Sequence, residues 1–454
     1  MEVPAPTAKP GAASSDEAAA ARAHVRGLVE ADRVHRDAYV DPAVYARELR
    51  TFWAHTWQYL AHASQVPKAG DVATIDLAGR PLMLVRTADD GLAVLVNRCA
   101  HKGTKLVDDE HAHVGRHFRC PYHAWTYRLD GAPLGTPLRE GYDGTRLAAC
   151  ESGRGLVRLR HVAVHRDFVF VKLGDAGPTF EDYFGDALGA LDALADRSPV
   201  GRLEVAGGVL RTIVRCNWKV YLENVNDTVH PMATHESAVA AARSVWGDRP
   251  ADAPKPMALE QILPFGAPYD VFDAMGARIY PNGHSLLGTR HSIHSAYGRL
   301  PEYEAALVGA HGAVRAKQVL EHAPQNAILY PSIAVKGSPQ AMRVIRPLAV
   351  DRTLVEAWSF RAVGAPDVLL ERTQTYNRLV FSPMSIVAHD DLHLFESIQQ
   401  GLAGDGNPWI SLHRGWREDE QAQPVQDVNG TNEILMRNQF RAWARFMTLE
   451  DAPA

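Results

Sequence analysis

The sequence is poor in the features that mark secreted, membrane-bound or nucleic-acid-binding proteins. Only four of its 454 residues are cysteine, and its formal net charge is -5. No apolar run reaches the length needed to cross a bilayer, and the N-terminus lacks the charged and then apolar layout of a signal peptide. The charge balance offers no basic surface for nucleic acid or anionic lipid. We therefore expect a reduced cytoplasmic protein with no nucleic-acid or membrane partner.

A nucleotide-binding fingerprint is also missing. The chain has no Gly-x-Gly-x-x-Gly linked to a predicted strand, so we expect no bound flavin or nicotinamide. What remains is an ordinary globular composition, with 46% hydrophobic and 22% charged residues. The length allows two or three domains.

Two short cysteine–histidine pairs lie close together in the chain. They are Cys99 with His101 and Cys120 with His123. Two thiolates and two imidazoles could bind one zinc ion, or hold a [2Fe–2S] cluster in which two histidines replace two cysteines on one iron. Each pair mixes the two residue types, whereas zinc fingers usually pair like with like. Trp125 and Tyr127 follow the second pair, where they could shield a redox centre from water. The pattern favours the cluster, and a zinc site is the alternative.

Composition and periodicity divide the chain into four segments. Residues 1–40 are predicted to be a disordered or loosely attached extension, because they begin with a run rich in Ala, Pro and Ser. Residues 41–57 show a helical apolar pattern, and residues 58–172 contain short alternating strands with Gly and Asp turns. Residues 173–454 mix helices with consecutive strands. We expect an α+β fold, in which a small antiparallel β domain is inserted in a larger α+β domain whose antiparallel sheet is flanked by helices.

A second candidate metal site lies near the start of the larger domain. Glu223, Asp227 and His230 are three or four residues apart, so they would share one face of a helix. His235 lies five residues beyond His230 and would leave that face unless Pro231 kinks or ends the helix. Taken alone, two histidines at this spacing are more typical of surface or core residues than of metal ligands.

Together the two motifs resemble those of the large (alpha) subunits of Rieske non-haem iron ring-hydroxylating oxygenases. The first motif shares the Asn-Arg-Cys lead-in at 97–99 and the Cys-Pro-Tyr-His-Ala-Trp close at 120–125, although Lys102 replaces the usual arginine and the intervening loop is slightly long. The resemblance covers nearly the whole chain beyond the first forty residues. The second motif shares Asn217-Trp218-Lys219, then Glu223-Asn224, then Asp227, His230 and His235.

The resemblance implies a Rieske domain at 58–172 and a catalytic domain with mononuclear non-haem iron at 173–454. The two cysteine–histidine pairs would hold the [2Fe–2S] cluster, while His230 and His235 would bind Fe(II). A downstream aspartate would complete a two-His-one-carboxylate face that leaves positions open for O2. The family pattern of an acidic residue, Glu five residues on and then Gln favours Asp391 over its neighbour Asp390. A charged surface patch on a helix is the other interpretation.

The resemblance also implies a route for electrons. Asp227 would bridge an iron-bound histidine of one subunit and a cluster-bound histidine of the next, which requires a head-to-tail homotrimer. Because no flavin or nicotinamide fingerprint is present, a ferredoxin or flavin reductase would supply the electrons. A small beta subunit, giving an alpha3beta3 assembly, is compatible with the resemblance.

The activity implied is that of a terminal oxygenase component that dihydroxylates an aromatic substrate, with an aromatic carboxylate as the first choice. A Rieske monooxygenase or an O- or N-demethylase is the alternative within this class. A zinc-binding protein, or an electron-transfer protein without oxygenase activity, represents the other classes.

Side chains next to the proposed iron ligands are expected to line the substrate pocket. These are Asn224, Val225 and Met232. The sequence does not identify the cationic group that would bind a carboxylate. Three basic residues lie on predicted strands near the site, and a solvated surface is the default expectation for each. These are Lys336, Arg343 and Arg346.

Overall fold

The structure is a computed structural model whose described part separates into two compact units. It describes residues 15–149, 152–247, 249–250, 253–294, 300–321, 324–420 and 423–449. One unit spans 59–175, and the other joins the described residues of 15–58 to those of 176–449. A small β unit inserted in a larger α+β unit confirms the predicted fold class. Residues 1–14, at the start of the predicted extension, lie outside the described residues.

The N-terminal segment of the larger unit is mostly helical. Its elements, numbered in chain order, are α1 (Ser15–Gly27), β1 (Arg33–His35), α2 (Asp37–Val40), α3 (Pro42–Arg50) and α4 (Phe52–His55). Val25 and Leu28 are buried, and β1 pairs antiparallel with residues 409–411. Residues 25–40 thus contain packed side chains, where the sequence favours a loosely attached extension. Their few apolar side chains stand among alanines and charges, so the local pattern did not reveal that they pack.

The helix predicted over 41–57 is divided in two. Asp41 caps α3 by accepting a hydrogen bond from the Ala43 N–H at 2.7 Å, and Pro42 fills the first turn. At Thr51 the side-chain hydroxyl donates to the Arg47 carbonyl at 2.9 Å, an arrangement that bends helices. The chain resumes as the short α4 and becomes a strand at Gln58.

The small unit consists of short strands. They are β2 (Gln58–His62), β3 (Asp71–Leu77), β4 (Arg80–Arg86), β5 (Leu92–Val96), β6 (His111–His113), β7 (His117–Arg119), β8 (Thr126–Arg128), β9 (Pro133–Gly135), β10 (His161–His165) and β11 (Phe168–Lys172), with the helix α5 (Arg146–Ala149) before β10. They form sheets in the orders β10-β11-β2, β5-β4-β3-β6 and β7-β8-β9. The β3–β4 turn is Ala78-Gly79, where both residues have positive φ, as a type I′ hairpin turn requires.

The larger unit is built on an antiparallel sheet. Its further elements are α6 (Phe180–Phe184), α7 (Gly189–Ala195), β12 (Leu203–Val214), α8 (Trp218–Asn226), α9 (His230–Thr234), α10 (Glu236–Trp246), α11 (Met257–Ile262), α12 (Tyr269–Ala274), β13 (Ala277–Ile279), β14 (Ser285–Leu287), α13 (Pro301–Glu321), β15 (Asn326–Leu329), β16 (Ile333–Lys336), β17 (Ala341–Ala349), β18 (Arg352–Ala362), α14 (Asp367–Val380), α15 (Ile386–Ala403), β19 (Trp409–Ser411), β20 (Gln426–Val428) and α16 (Ile434–Met447). Eight strands follow the order β12-β18-β17-β16-β15-β14-β13-β20. No helix in the described ranges is both long and apolar enough to cross a membrane.

A buried carboxylate joins the N-terminal segment to the helices around the site. Glu48 on α3 is fully buried and accepts hydrogen bonds from the indole N–H groups of Trp218 at 2.9 Å and Trp443 at 2.7 Å. The ammonium group of Lys219 pairs with the same carboxylate. Because removing one partner of such a pair leaves a buried charge uncompensated, the group is strongly constrained. It fixes α8 and α16 against α3.

Candidate metal centres

In the small unit, the four candidate cluster ligands are grouped by residue type. Cys99 follows β5 and Cys120 follows β7, and the two buried thiols are hydrogen-bonded to each other. The rings of His101 and His123 also face each other, with centroids 4.7 Å apart. Each pair in the sequence combines a cysteine with a histidine, but in the folded chain the two thiols lie beside each other, and so do the two imidazole rings. This is the division that a Rieske cluster requires, with two cysteines on one iron and two histidines on the other.

A single zinc ion fits this arrangement poorly. Tetrahedral coordination would draw all four donor atoms to within about 4 Å of one another. Among the described residues, the one group of three or more such donors whose atoms gather within 4.8 Å lies in the larger unit. In addition, His101 Nδ1 is buried and has no hydrogen-bond partner, as expected for an atom that binds a metal.

Protonation in the small unit also suits metal binding. Burial would raise the pKa of the Cys120 thiol, but N–H groups of His123 and Tyr122, together with Cys99, hold that pKa below its usual value. The thiolate is the form that binds metal. Burial and the neighbouring His123 lower the pKa of His101, which favours the neutral imidazole.

Two aromatic side chains flank this centre, Trp125 on the histidine side and Tyr127 on the cysteine side. Trp125 is buried and stacks on His101, with ring centroids 4.8 Å apart and an interplanar angle of 4°. The Tyr127 hydroxyl accepts the N–H of Ala100 at 3.2 Å and lies 3.0 Å from Cys99 Sγ, so its proton can be donated to the sulfur. Such hydrogen bonds tune cluster potentials.

In the larger unit, the helix that carries the second motif breaks earlier than predicted. Helix α8 ends at Asn226, and α9 begins at His230 with Pro231 in its first turn. Proline is well tolerated there, so Pro231 starts a helix rather than kinking one. The break occurs because Asp227 accepts the backbone N–H of His230 at 2.7 Å, in competition with helical hydrogen bonding. Glu223, expected on the same face, instead accepts a hydrogen bond from the Tyr39 hydroxyl at 2.7 Å.

The break brings three donors together, which we call the ligand trio. His230, His235 and Asp391 place one donor atom each within 4.8 Å of the others. Asp391 Oδ1 on α15 lies 4.0 Å from His230 Nε2 and 3.7 Å from His235 Nε2. Asp390 does not face the same ring nitrogen of His235 as Asp391 does. Its Oδ2 lies 3.6 Å from Nδ1 of His235, whereas Asp391 lies near Nε2. The geometry therefore favours Asp391 over Asp390 as the third ligand.

Asp227 determines how His230 presents its ring. His230 Nδ1–H donates to Asp227 Oδ2 at 2.8 Å, which leaves Nε2 with a lone pair toward Asp391. Arg414 lies 3.2 Å from the other oxygen of Asp227. Burial alone would raise the pKa of Asp227, but the hydrogen bonds and charge of His230 hold it below its ordinary value. Asp227 is therefore an anion that orients an imidazole.

Burial shifts the pKa values of the other two members of the trio in opposite directions. Burial raises the pKa of Asp391 to about 6. Burial, together with repulsion from His230, lowers the pKa of His235 to about 4. A divalent cation between them would favour the charged carboxylate and the neutral imidazole, so the donor set fits a two-His-one-carboxylate metal site.

Comparison with known proteins decides the family. Residues 56–147 match the Rieske [2Fe–2S] domain, and residues 191–449 match the ring hydroxylating alpha subunit (catalytic domain). The chain belongs to the ring-hydroxylating alpha-subunit family. Alpha subunits of this kind carry a Rieske cluster and a mononuclear iron and are O2-dependent oxidoreductases. The alternatives of a zinc-binding protein and a simple electron carrier are thereby excluded.

Similar proteins include both dioxygenases and a demethylase. The anthranilate 1,2-dioxygenase large subunit of Acinetobacter baylyi is 29% identical over 440 residues, covering 91% of this chain and 89% of the relative. The N,N-dimethyl phenylurea N-demethylase subunit alpha of a Sphingobium strain is 27% identical over 440 residues, covering 89% of each. The structure of naphthalene 1,2-dioxygenase with indole bound has a TM-score of 0.74 at 21% identity, covering 93% of this chain and 94% of that one. This last likeness concerns the fold alone.

The ligand trio opens into one cavity of the alpha subunit, here called the iron-site cavity. Asn224 and Val225, two of the residues proposed from the sequence to line the substrate pocket, lie on its wall. Met232 does not line it and packs instead against the apolar cluster around Phe272 and Leu435, because α9 turns it away from the trio. Apolar walls come from Phe265, Leu287, Ile293, Val380 and Phe381.

The basic residues expected to be solvated are buried, which corrects that prediction. Lys336 is 2%, Arg343 6% and Arg346 8% exposed, because β16 and β17 lie inside the sheet with both faces covered. Lys336 and Arg343 line the iron-site cavity, while Arg346 pairs with Glu356 at 3.0 Å. Alternation along the strands could have indicated that the first two share a face, but not that this face is enclosed.

We expect Asp391→Ala to empty the mononuclear site while leaving the Rieske spectrum intact, because it removes one of three donors. Asp390→Ala, which only removes a neighbour of His235, should weaken iron binding by about 10–100-fold at most. Iron content per chain, measured beside the visible spectrum of the same sample, checks both variants. The reverse order of effects would assign the ligand to Asp390.

Proposed function

We propose that this alpha subunit is the terminal oxygenase component of a multicomponent system that dihydroxylates an aromatic carboxylate. The observation that carries the proposal is the ligand trio at the wall of a cavity that also has aromatic and aliphatic walls. A planar ring suits such walls, and the open positions of a two-His-one-carboxylate site suit O2. The anthranilate dioxygenase subunit supports the choice of substrate class, since anthranilate is itself an aromatic carboxylate.

Residues of the chain prepare the site for this reaction. When bound, the mononuclear iron would activate O2, and the cluster would supply single electrons. Asp227 holds His230 in the tautomer that presents Nε2, while the Asn224 amide donates to Asp391 at 3.3 Å and keeps that carboxylate in place. Phe265 and Phe381 line the cavity, where they would exclude water and pack against a bound ring. Overall, both atoms of O2 enter the ring together with two electrons and two protons.

The electrons have to come from outside this chain. A ferredoxin or a flavin reductase is the donor that suits a chain without a nucleotide fingerprint. We assign Asp227 as the bridge through which the cluster of a neighbouring subunit serves this iron, in a head-to-tail homotrimer. Asp227 retains 16% exposure while it holds His230, and in the small unit Tyr122 beside His123 is 66% exposed. Both ends of the proposed path can thus be reached from solvent. An accompanying beta subunit, giving alpha3beta3, is compatible with this arrangement.

N-demethylation is the second candidate, because the phenylurea demethylase subunit matches as much of the chain as the dioxygenases do. In that reaction one oxygen atom would be inserted into an N-methyl C–H bond, and the other, with two electrons and two protons, would leave as water. The resulting N-hydroxymethyl group would break its C–N bond to give the N–H product and formaldehyde. The same ligand trio can serve either reaction, so the product decides between them.

The product test uses the assembled holoenzyme, reduced chemically, mixed with isotopically labelled O2 and either benzoate or an N,N-dimethyl phenylurea. We expect benzoate to yield a cis-dihydrodiol that carries both labelled atoms. Formaldehyde from the urea, with benzoate unchanged, would replace the dioxygenase proposal by demethylation. Turnover only of uncharged arenes would retain the dioxygenase and reject the carboxylate.

Asp227→Ala tests the bridge. Because the side chain contacts His230 but is not proposed as a ligand, both metals should remain, while electron transfer from the cluster to the mononuclear site slows by roughly 100-fold or more. Stopped-flow oxidation of the reduced cluster by O2 measures the rate, and Asp270→Ala, an exposed acid of the same unit, serves as the control. A normal rate in Asp227→Ala with full iron content would reject the bridge.

A further inference from the structure

We propose that Lys336 and Arg343 form an anion-binding subsite that holds the carboxylate of the substrate inside the iron-site cavity. The inference rests on the proposed function, because it names the residues that would recognise the charged group of an aromatic carboxylate. Neither the family match nor the relatives assign a cation to this cavity.

The sheet register places the two cations side by side. Arg343 on β17 pairs with Ala334 on β16, and Lys336 lies two residues beyond Ala334. Side chains two residues apart on a strand share a face, so Lys336 and Arg343 are diagonal neighbours on the same face of the sheet. That face lines the cavity that also contains the ligand trio.

Neither cation has an anionic partner. Lys336 Nζ donates to the carbonyl oxygen of Gln325 at 3.1 Å, and an Arg343 terminal N–H donates to Asn326 Oδ1 at 2.6 Å. Both acceptors are neutral, and within the described part of the chain neither cation forms a salt bridge. By contrast, Arg346 on the same strand is paired with Glu356. Asp391 is the acid whose pKa responds to the Arg343 charge, and it is the proposed iron ligand.

One donor in the pair is unused. Arg343 Nε is buried and has no hydrogen-bond partner, although a buried polar group without a partner is costly. A guanidinium has five N–H donors arranged to bind a carboxylate through two parallel hydrogen bonds. A carboxylate in the cavity would give this donor its partner.

Electrostatics points to the same ligand charge. Burial, reinforced by the Arg343 charge, lowers the pKa of Lys336 far below its usual value. That shift disfavours the ammonium form of Lys336 beside Arg343, and an anion between the two side chains would stabilise the charged form of both. The pair is therefore better suited to an occupied, anionic state than to an empty cavity.

The surroundings of the cations suit the rest of an aromatic acid. Arg343 lies over the ring of Phe381 at 4.7 Å, and Lys336 over the ring of Tyr376 at 5.2 Å, so each charge holds an aromatic side chain of the α14 region in place. Phe381 is also an apolar wall of the cavity. The site thus has a cationic end for the carboxylate and an apolar part for the ring.

Binding of benzoate and of benzamide to the holoenzyme, measured by calorimetry, separates charge recognition from shape. We expect Arg343→Gln and Lys336→Met each to weaken benzoate binding by about 10–100-fold, as befits the loss of a charge-assisted hydrogen bond, while benzamide binding changes little. Arg343→Lys should recover part of the affinity. Arg352→Gln, which changes a half-exposed arginine of β18, is the matched control and should bind both ligands normally. An unchanged Rieske spectrum and iron content in each variant verify the fold.

Two results would overturn the subsite. If both variants bind benzoate as well as the parent protein does, the carboxylate lies elsewhere, and the proposed function stands without this subsite. If benzoate and benzamide weaken equally, the two residues shape the cavity and do not recognise charge. A parent protein that binds benzamide but not benzoate would reject the aromatic carboxylate itself, and the subsite with it.

Discussion

The catalytic half of the molecule depends on the hydrogen bonds between His230 and Asp227. One, from the backbone N–H, ends the preceding helix and starts the next, so that His235 also turns toward the site. The other, from Nδ1, fixes the ring tautomer and leaves Nε2 facing Asp391. A single carboxylate therefore sets both the backbone path and the ring orientation on which the ligand trio depends. Because the same carboxylate keeps some exposure, it is also suited to link the site to an external electron source.

In both centres, separate segments of the chain supply the candidate ligands, but the segments are loops in the small unit and helices in the larger one. In the small unit, short hairpins deliver cysteine and histidine from separate loops and sort them by type, so that the donor set matches a cluster with two unlike irons. In the larger unit, a broken helix supplies two imidazoles and a second helix supplies the carboxylate. The buried Glu48 group fixes the N-terminal segment against the first of these helices. The cavity beyond the trio has apolar and aromatic walls and is also lined by Lys336 and Arg343, for which the described residues provide no salt bridge.

Ligand types and their spacing are local properties, so the sequence alone could indicate the candidate ligands that the structure brings together, as well as the fold class. Properties that depend on distant parts of the chain were missed. The packing of residues 15–40 requires partners such as β19, and the burial of Lys336 and Arg343 requires cover on both faces of a sheet. A charged residue on a strand is usually solvated, so local patterns favoured the wrong environment. The sequence alone favours a helix break at Pro231, because proline is the stronger local signal. In the structure the break is at Asp227, and Pro231 lies in the first turn of the next helix.

The central claim is that one chain holds a Rieske cluster and a separate mononuclear iron. Low-temperature EPR of the anaerobically reduced protein, with visible spectroscopy and metal analysis of the same sample, tests it most directly. We expect a reduced Rieske signal and about three iron atoms per chain, two in the cluster and one in the ligand trio. A colourless protein that contains zinc and gives no such signal would contradict it.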